Sequence, residues 1–442
     1  MRAIAMAAAA AMLARAAFAQ APAEGALPAR AELQLLSDVV RLVHRDFARA
    51  TDDALLASGC ADALASATGA ADRAARTFDA LPELVVRARA ASAGRQDDRQ
   101  LVRICIDGIV SLLDRHSKFL DEAEYRALYR PSTGFAAIGV ALRKDGAQVE
   151  VAEVYDGAPA AKAGLRVGDR LLRIDGVDAD ALSLAEAADR LRGAVGSRVA
   201  LQVARAGAKP RDKPADFEIV REVVRISPVQ VRRGDGGIVS VRFVQFSDQA
   251  RAELHREFAK LSAGEAAELR GIVIDLRDNS GGLLRAAIEV SGVFLPEGAN
   301  VGSMHGRRGR LLETYTAGDR PRGYLSLPVA LPEATAAALR RAPLAVLVNG
   351  RTASGAEILA AAIQANRRGV LVGTDTLGMG SIQTLFPLGG TPPTALKLTT
   401  GYWLGPKDAE LEGQPLKPDL YADGDGAEAA ARRWIAAGGN LP

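Results

Sequence analysis

After residue 220, the sequence alternates between short apolar runs and longer amphipathic helical stretches, and this alternation restricts the possible folds more than any other feature. The runs GIVSVRFVQF, LRGIVIDLRDN, PLAVLVNG and VLVGTD are typical of strands, and helical patterns separate them. Such alternation predicts βα units and a largely parallel sheet that is covered on both faces. The functional residues of a sheet of this kind lie where its strands end.

Two regions of different character precede this segment. Apolar residues at helical spacing, as in AELQLLSDVVRLVHRDF, predict a helical region over 20–128. Short apolar runs separated by turn signals such as KDGA and RVGD predict a small β-rich domain over 129–207. The α/β core then occupies 208–442. The polar stretch AGAKPRDKPAD (206–216) is either a linker or a long hairpin turn.

The first 19 residues have the composition of a targeting signal. A positive charge, an Ala-rich apolar stretch and the small-x-small pattern Ala17-Phe18-Ala19 predict a secretory signal peptide that is cleaved before Gln20. A retained membrane anchor is the alternative, but the stretch is short for a membrane span. We therefore expect an exported, periplasmic protein with no stable membrane span after signal removal.

Charge and cysteine content narrow the function classes. The net charge is only +3 over 442 residues and the arginines are scattered, so we expect no nucleic-acid partner. Cys60 and Cys105 lie in helical patterns, where an oxidising compartment permits a disulfide; two buried free thiols are the alternative. The four histidines are widely separated and show no metal-ligand spacing, so we expect neither a metal nor another cofactor.

Two turns rich in small residues follow strands of the predicted core. In NGRTASGAE, Ser354 stands between a strand and a helix, where it is either an ordinary helix N-cap or a nucleophile beside free helix amides. In IDLRDNSGG, Gly281 or Gly282 can turn its backbone N–H towards a ligand, as an oxyanion hole requires. A Gly-Gly pair after a strand is also common in simple tight turns. Neither turn predicts catalysis by itself.

Taken with GTDTLGMGSIQ, these turns resemble the carboxyl-terminal processing proteases, a family of serine–lysine peptidases. The resemblance extends to LLDRHSKFL, where Arg115 replaces the family's usual proline, and to ALKLTTGYWLGPKDAELEGQPLKPD. It covers nearly everything after the signal peptide, although an insertion-like stretch around 66–100 fits poorly. The resemblance implies a multidomain α/β protein with a helical N-terminal region, a PDZ domain and a crotonase-like α/β spiral core.

The small β-rich domain then resembles the family's PDZ module. Its APAAKAGLRVGDRLLRIDG segment matches the characteristic helix–turn–strand, and an upstream segment resembles the loop whose amides hold a peptide's terminal carboxylate. That loop consists of Gly134, Phe135, Ala136, Ala137, Ile138, Gly139 and Val140. The resemblance implies polypeptide partners with free apolar C termini, which would add a strand to the edge of the PDZ sheet. It does not specify an oligomeric state.

The resemblance also assigns the reaction. Ser354 corresponds to the nucleophile, Gln383 to the residue that orients the base, and the amides of Gly355 and the Gly-Gly turn to the oxyanion hole. The family's base is a lysine twenty-five residues after the nucleophile, and Met379 occupies that position here. A thioether cannot usefully take the serine proton, although methionine matches the unbranched length of lysine and can fill its place.

This departure leaves three hypotheses. A working protease would recruit another base, for which Lys397 is a candidate. A pseudoprotease would bind peptide termini without cutting them. In the third hypothesis, the methionine reflects recent loss or a sequence error, and the rest of the machinery is intact. A protein of a different class, an exported peptide-binding adaptor, would be indifferent to Ser354→Ala.

Overall fold

A computed structural model describes residues 30–69, 77–128, 135–155, 157–207, 209, 212–224, 227–319, 331–389 and 393–441. The predicted signal peptide and Gly134 lie outside these residues. The α-helices are α1 (Arg30–Asp46), α2 (Asp53–Thr68), α3 (Leu81–Ala91), α4 (Asp98–Ser111), α5 (Glu122–Leu128), α6 (Pro159–Ala163), α7 (Leu184–Leu191), α8 (Ala250–Ala259), α9 (Ala263–Ala267), α10 (Leu284–Phe294), α11 (Glu333–Arg341), α12 (Gly355–Ala365) and α13 (Asp425–Ala436).

The strands follow the same chain order. They are β1 (Lys118–Leu120), β2 (Phe135–Ala137), β3 (Val140–Asp145), β4 (Gln148–Val154), β5 (Arg170–Ile174), β6 (Val177–Asp178), β7 (Arg198–Ala204), β8 (Ala215–Val220), β9 (Glu222–Val224), β10 (Val229–Arg233), β11 (Ile238–Phe243), β12 (Gly271–Asp275), β13 (Asn300–His305), β14 (Leu311–Thr316), β15 (Leu344–Val348), β16 (Val370–Gly373), β17 (Ser381–Leu388), β18 (Thr394–Gly405), β19 (Ala409–Glu410) and β20 (Leu420–Tyr421). None of the helices in the described ranges is long and apolar enough to cross a bilayer.

The elements form two compact units. The helical unit contains the described residues up to Tyr125 together with Ser303–Thr314 and Gly380–Leu404. The α/β unit contains Arg126–Gly302, Tyr315–Met379 and the described residues from Gly405 onwards. This architecture confirms the predicted α/β multidomain class, since both helices and several sheets are present.

Helices α1–α4 pack around one apolar core in the helical unit. Helix α1 contributes Leu36, Val39 and Val43, which recur at helical spacing and are buried. Strand β18 pairs with β1 and β17, and its Leu396 and Leu398 join the same core. A disulfide between Cys60 and Cys105 connects α2 to α4. Of the two states considered for these cysteines, the structure contains the bonded one.

Beside this disulfide, α2 and α4 meet through two glycines. A Cβ on Gly108 would lie 2.3 Å from the carbonyl oxygen of Gly59, which is far below van der Waals contact. We expect Gly108→Ala to destabilise the helical unit by about 1–3 kcal/mol, because overpacking exceeds the gain of about 1 kcal/mol in helix propensity. Thermal unfolding would measure this change. Gly426→Ala, on helix α13 with open space around it, is the control; equal melting temperatures for the two variants would contradict the prediction.

One six-stranded sheet of the α/β unit has the order β10-β11-β12-β15-β16-β20. Strands β11, β12, β15, β16 and β20 are parallel, and β10 is an antiparallel edge strand. Every residue of β15 and β16 is buried, as expected for strands covered on both faces. On one face, Ala431 and Ile435 of α13 pack against Val273 and Val372. The alternating pattern of the sequence therefore predicted the sheet type.

A separate sheet forms the small β-rich domain, with the order β3-β4-β5-β7-β8. Strands β7 and β8 are antiparallel neighbours, so 206–216 connects a hairpin and is not an interdomain linker. Since β8 belongs to this sheet, the domain extends past the predicted boundary at residue 207. It has its own core, in which Ile138, Leu171 and Val199 are fully buried.

Candidate active site

Ser354 lies at a sharp strand-to-helix turn. Strand β15 ends at Val348, and α12 begins at Gly355, directly after the serine. The backbone of Ser354 has φ 54° and ψ −121°, a conformation that costs a non-glycine residue roughly 1–3 kcal/mol. The loop that follows β12 holds this turn, because the Ala353 amide donates to the Asn279 carbonyl at 2.9 Å. An ordinary N-cap has extended backbone, so the cap alone does not account for this geometry.

The Gly-Gly turn lies against this serine. A Cβ on Gly281 would be 2.8 Å from the Ser354 Cβ and 2.7 Å from the Gly355 nitrogen, so glycine alone fits there. The Gly281 amide donates to Asn279 Oδ1 at 2.8 Å and is therefore already satisfied. Gly282, in contrast, is exposed to solvent. Of the two glycines predicted as oxyanion donors, Gly282 is the exposed one, and Asn279 does not occupy its amide.

Gly355 provides a second amide at the same place. It is the first residue of α12, and amides of the first helical turn have no partner within their own helix. A Cβ built on Gly355 would lie 3.5 Å from the Gly282 nitrogen, which shows how closely the two backbones approach. The positive end of the α12 dipole adds to the preference of this site for negative charge. The pair is suited to stabilising an oxyanion.

Met379 is connected to the Ser354 turn through its main chain. Its amide donates to Glu357 Oε2 at 2.8 Å, and the Ser354 amide donates to the same oxygen at 3.0 Å. The sequence analysis did not identify Glu357, although Ser354-x-x-Glu357 has the spacing of a capping box and could have revealed it. The backbones of residues 354 and 379 are thus joined by one carboxylate.

Two further candidates belong to the helical unit. Gln383 lies on β17, where its amide nitrogen donates to Ser381 Oγ at 3.1 Å. Lys397 lies on β18, opposite Lys118 of β1 and Leu385 of β17. The α/β unit therefore brings together Ser354, the glycines and Met379 and contains neither Gln383 nor Lys397.

Charged residues surround the turn that leads to Ser354. Asp278 accepts hydrogen bonds from Asn349 Nδ2 at 2.7 Å and Arg351 Nε at 2.8 Å. Partial burial would raise the pKa of Asp278, but these hydrogen bonds and the Arg351 charge outweigh burial and lower it. Asp275 pairs with Arg277 through two hydrogen bonds, which raise the pKa of the guanidinium. The lowered pKa keeps Asp278 ionised. Together, these hydrogen-bonded pairs fix the loop that leads to Ser354.

The predicted carboxylate-binding loop is partly a strand. Phe135–Ala137 pairs with Glu222–Val224, which leaves Ile138 and Gly139 as the connection to β3. The carbonyls of Ile138 and Gly139 accept from the amides of Ala160 and Tyr155 at 2.8 and 3.0 Å. Beyond this connection, β3 is the edge strand of its sheet, and α7 packs beside it. An extended peptide could add to this edge.

A strained serine, adjacent amides at a helix N-terminus and an edge strand that can receive a peptide define a serine-type peptidase fold with a peptide-binding module. The sequence matches Peptidase family S41 over residues 237–422 and a PDZ domain over 150–205. The carboxy-terminal-processing protease of Bartonella bacilliformis is 33% identical over 329 residues, covering 74% of this chain and 70% of the relative. The chain belongs to the carboxyl-terminal processing protease family.

Further comparisons agree with this assignment. The carboxyl-terminal-processing protease of Synechocystis sp. is 33% identical over 330 residues, which are 73% of this chain and 71% of the relative. Among solved structures, the photosystem II D1 C-terminal processing protease has a TM-score of 0.52 at 22% identity. The match covers 93% of this chain and 98% of that one and shows a shared fold.

Proposed function

We propose that the chain is an exported peptidase that acts on unfolded or tagged polypeptides near apolar C termini. The PDZ domain would hold the substrate, and Ser354 Oγ would attack the scissile carbonyl carbon. The developing oxyanion would accept hydrogen bonds from Gly282 and Gly355. Its collapse would break the peptide C–N bond and release the new amine, which takes up the proton that Ser354 gives up. Water would then hydrolyse the serine ester, which frees Ser354 and the new C-terminal carboxylate. The observation that carries the proposal is the strained backbone of Ser354 beside these amides, because such strain is characteristic of functional sites.

Met379 limits the expected rate. In the family, a lysine at this position takes the serine proton, and a thioether cannot. An oxyanion hole without a general base still leaves weak catalysis over the uncatalysed reaction. The proposal therefore predicts slow hydrolysis that depends on Ser354, unless another group such as Lys397 replaces the base.

Cleavage of an unfolded substrate with a free apolar C terminus tests this proposal. The mature protein should release product slowly, and Ser354→Ala should release none. Ser262→Ala is a matched control, because Ser262 is also an N-cap serine in the α/β unit and accepts from the Glu265 amide at 3.2 Å. It should lose helix stability of about 1 kcal/mol while keeping activity. Equal activity in the unmodified protein and Ser354→Ala would contradict the proposal.

The second candidate function is a pseudoprotease that binds polypeptide termini. The observation that favours it is Met379 itself, since it removes the one proton acceptor that the family's mechanism requires. This candidate predicts no cleavage by the unmodified protein, together with peptide binding that Ser354→Ala leaves unchanged. Parallel measurements of binding and cleavage on the same peptide separate the two functions.

Peptide binding through the PDZ domain should depend on Gly139. Its φ is +80°, and a Cβ there would lie 2.2 Å from the Ala158 Cβ. We expect Gly139→Ala to weaken binding of an apolar C-terminal peptide about tenfold or more, because the clash with Ala158 must displace the loop that is expected to hold the peptide terminus. Fluorescence anisotropy with a labelled peptide measures this. Gly146→Ala has a similar φ of +59° with open space, so it should bind normally; equal losses would refute the assignment.

A further inference from the structure

Glu357 is a fully buried carboxylate that the proposed reaction does not use. It lies in the first turn of α12, with none of its surface exposed. An unpartnered carboxylate at such a position would be costly to bury, so its partners determine its role. Each of its two oxygens accepts two hydrogen bonds, which makes the carboxylate fully engaged.

The four donors come from two separate segments. Oε2 accepts from the amides of Ser354 at 3.0 Å and Met379 at 2.8 Å. Oε1 accepts from the Gly378 amide at 2.7 Å and from the hydroxyl of Thr376. One side chain therefore fixes the nucleophile turn and the loop of residue 379. Four hydrogen bonds to one buried side chain hold the two segments together.

We propose that Glu357 is a positioning residue that couples the nucleophile to the loop carrying position 379. It contacts Met379 only through the main-chain amide among the bonds described, so the loop keeps its position whichever side chain residue 379 carries. Glu357 is not the missing base, because its oxygens are occupied by four donors. The inference rests on the proposed function only for the catalytic role of Ser354.

Amide hydrogen exchange tests the coupling without requiring activity. In Glu357→Gln, an NH₂ group replaces one side-chain oxygen. Because this donor must face N–H groups, the four hydrogen bonds cannot all form. We expect exchange to rise about tenfold or more in the segments around both Ser354 and Met379. Exchange in strand Leu344–Val348 should stay unchanged. Unchanged exchange in both segments, or an equal rise in the strand, would overturn the proposal.

Two further variants keep the test interpretable. Glu289→Gln changes another buried glutamate of the α/β unit, on α10, and should leave both segments protected. If Glu357→Gln does not fold, Thr376→Val removes a single donor from the carboxylate. We then expect a smaller rise, about threefold, in both segments together. A rise confined to the loop that contains Thr376 would refute coupling.

Kinetics supply a second readout in a Met379→Lys background. Adding Glu357→Gln should lower kcat about a hundredfold while KM stays within about twofold, because alignment is lost while substrate is still held by the PDZ domain. A parallel rise in KM with unchanged kcat would contradict a positioning role. If Met379→Lys cleaves nothing, the proposed peptidase chemistry fails, whereas hydrogen exchange still decides the role of Glu357.

Discussion

Met379→Lys is expected to raise kcat for an unfolded substrate by about 10²–10⁴-fold, the usual contribution of a general base. Ser354, Gly282 and Gly355 are already assembled, and Glu357 holds the loop of residue 379 by its backbone. The substitution therefore adds a proton acceptor to a site that needs little rearrangement. Partial burial would help to keep the introduced amine neutral and able to accept the proton.

The control for this substitution is Met379→Gln, which provides an unbranched polar side chain that cannot act as a base. Initial rates of product formation at fixed substrate should rise for the lysine variant and stay unchanged for the glutamine variant. Adding Ser354→Ala to the lysine variant should abolish the gain. Equal rates for the lysine and glutamine variants would show that the absent lysine does not limit the reaction.

Gly281→Ala is expected to lower the rate of Ser354 acylation by about 10²–10³-fold, comparable to loss of an oxyanion-hole donor. A Cβ at this position would lie 2.8 Å from the Ser354 Cβ and 2.7 Å from the Gly355 nitrogen, so nucleophile and amide must both shift. The φ of +97° adds backbone strain. Labelling of Ser354 by a fluorophosphonate probe measures the loss directly, without a peptide substrate.

Gly298→Ala is the control that separates the steric clash of an added Cβ from the backbone strain of a positive φ. Gly298 has a φ of +77° but open space around it. This variant should lose stability while Ser354 in the folded protein is labelled at the normal rate. Melting temperatures of both variants exclude loss of folded protein as the cause. Normal labelling of Gly281→Ala would mean that the Gly-Gly turn lies too far from the reacting atoms to matter.

The sequence predicted the parallel sheet and the strand-to-helix turn at Ser354 because both depend on local patterns. Continuous apolar runs mark buried parallel strands, and small residues mark the turns at their ends, so β15 and the Ser354 turn were located correctly. The choice between Gly281 and Gly282 was beyond these patterns. That choice depends on the Asn279 side chain, whose Oδ1 accepts a hydrogen bond from the Gly281 amide and not from the amide of the exposed Gly282.

Long-range contacts explain what the sequence analysis missed. Glu357 accepts from residues about twenty positions away, and spacing along one helix does not show such partners. Phe135–Ala137 was interpreted as part of a loop from the family resemblance, whereas it forms strand β2 by pairing with Glu222–Val224, beyond the expected end of the domain. Short strands are assigned by their pairing more than by their composition, so both the strand and the domain boundary became visible only in three dimensions.

The main-chain attachment of residue 379 has an evolutionary consequence. Because Glu357 binds the amide of this residue, a new side chain at position 379 does not remove the contact that holds the loop. One lysine codon differs from the methionine codon at a single base. A lineage with this architecture can therefore lose or recover the proton acceptor in one mutational step, without losing the hydrogen bond that holds the loop.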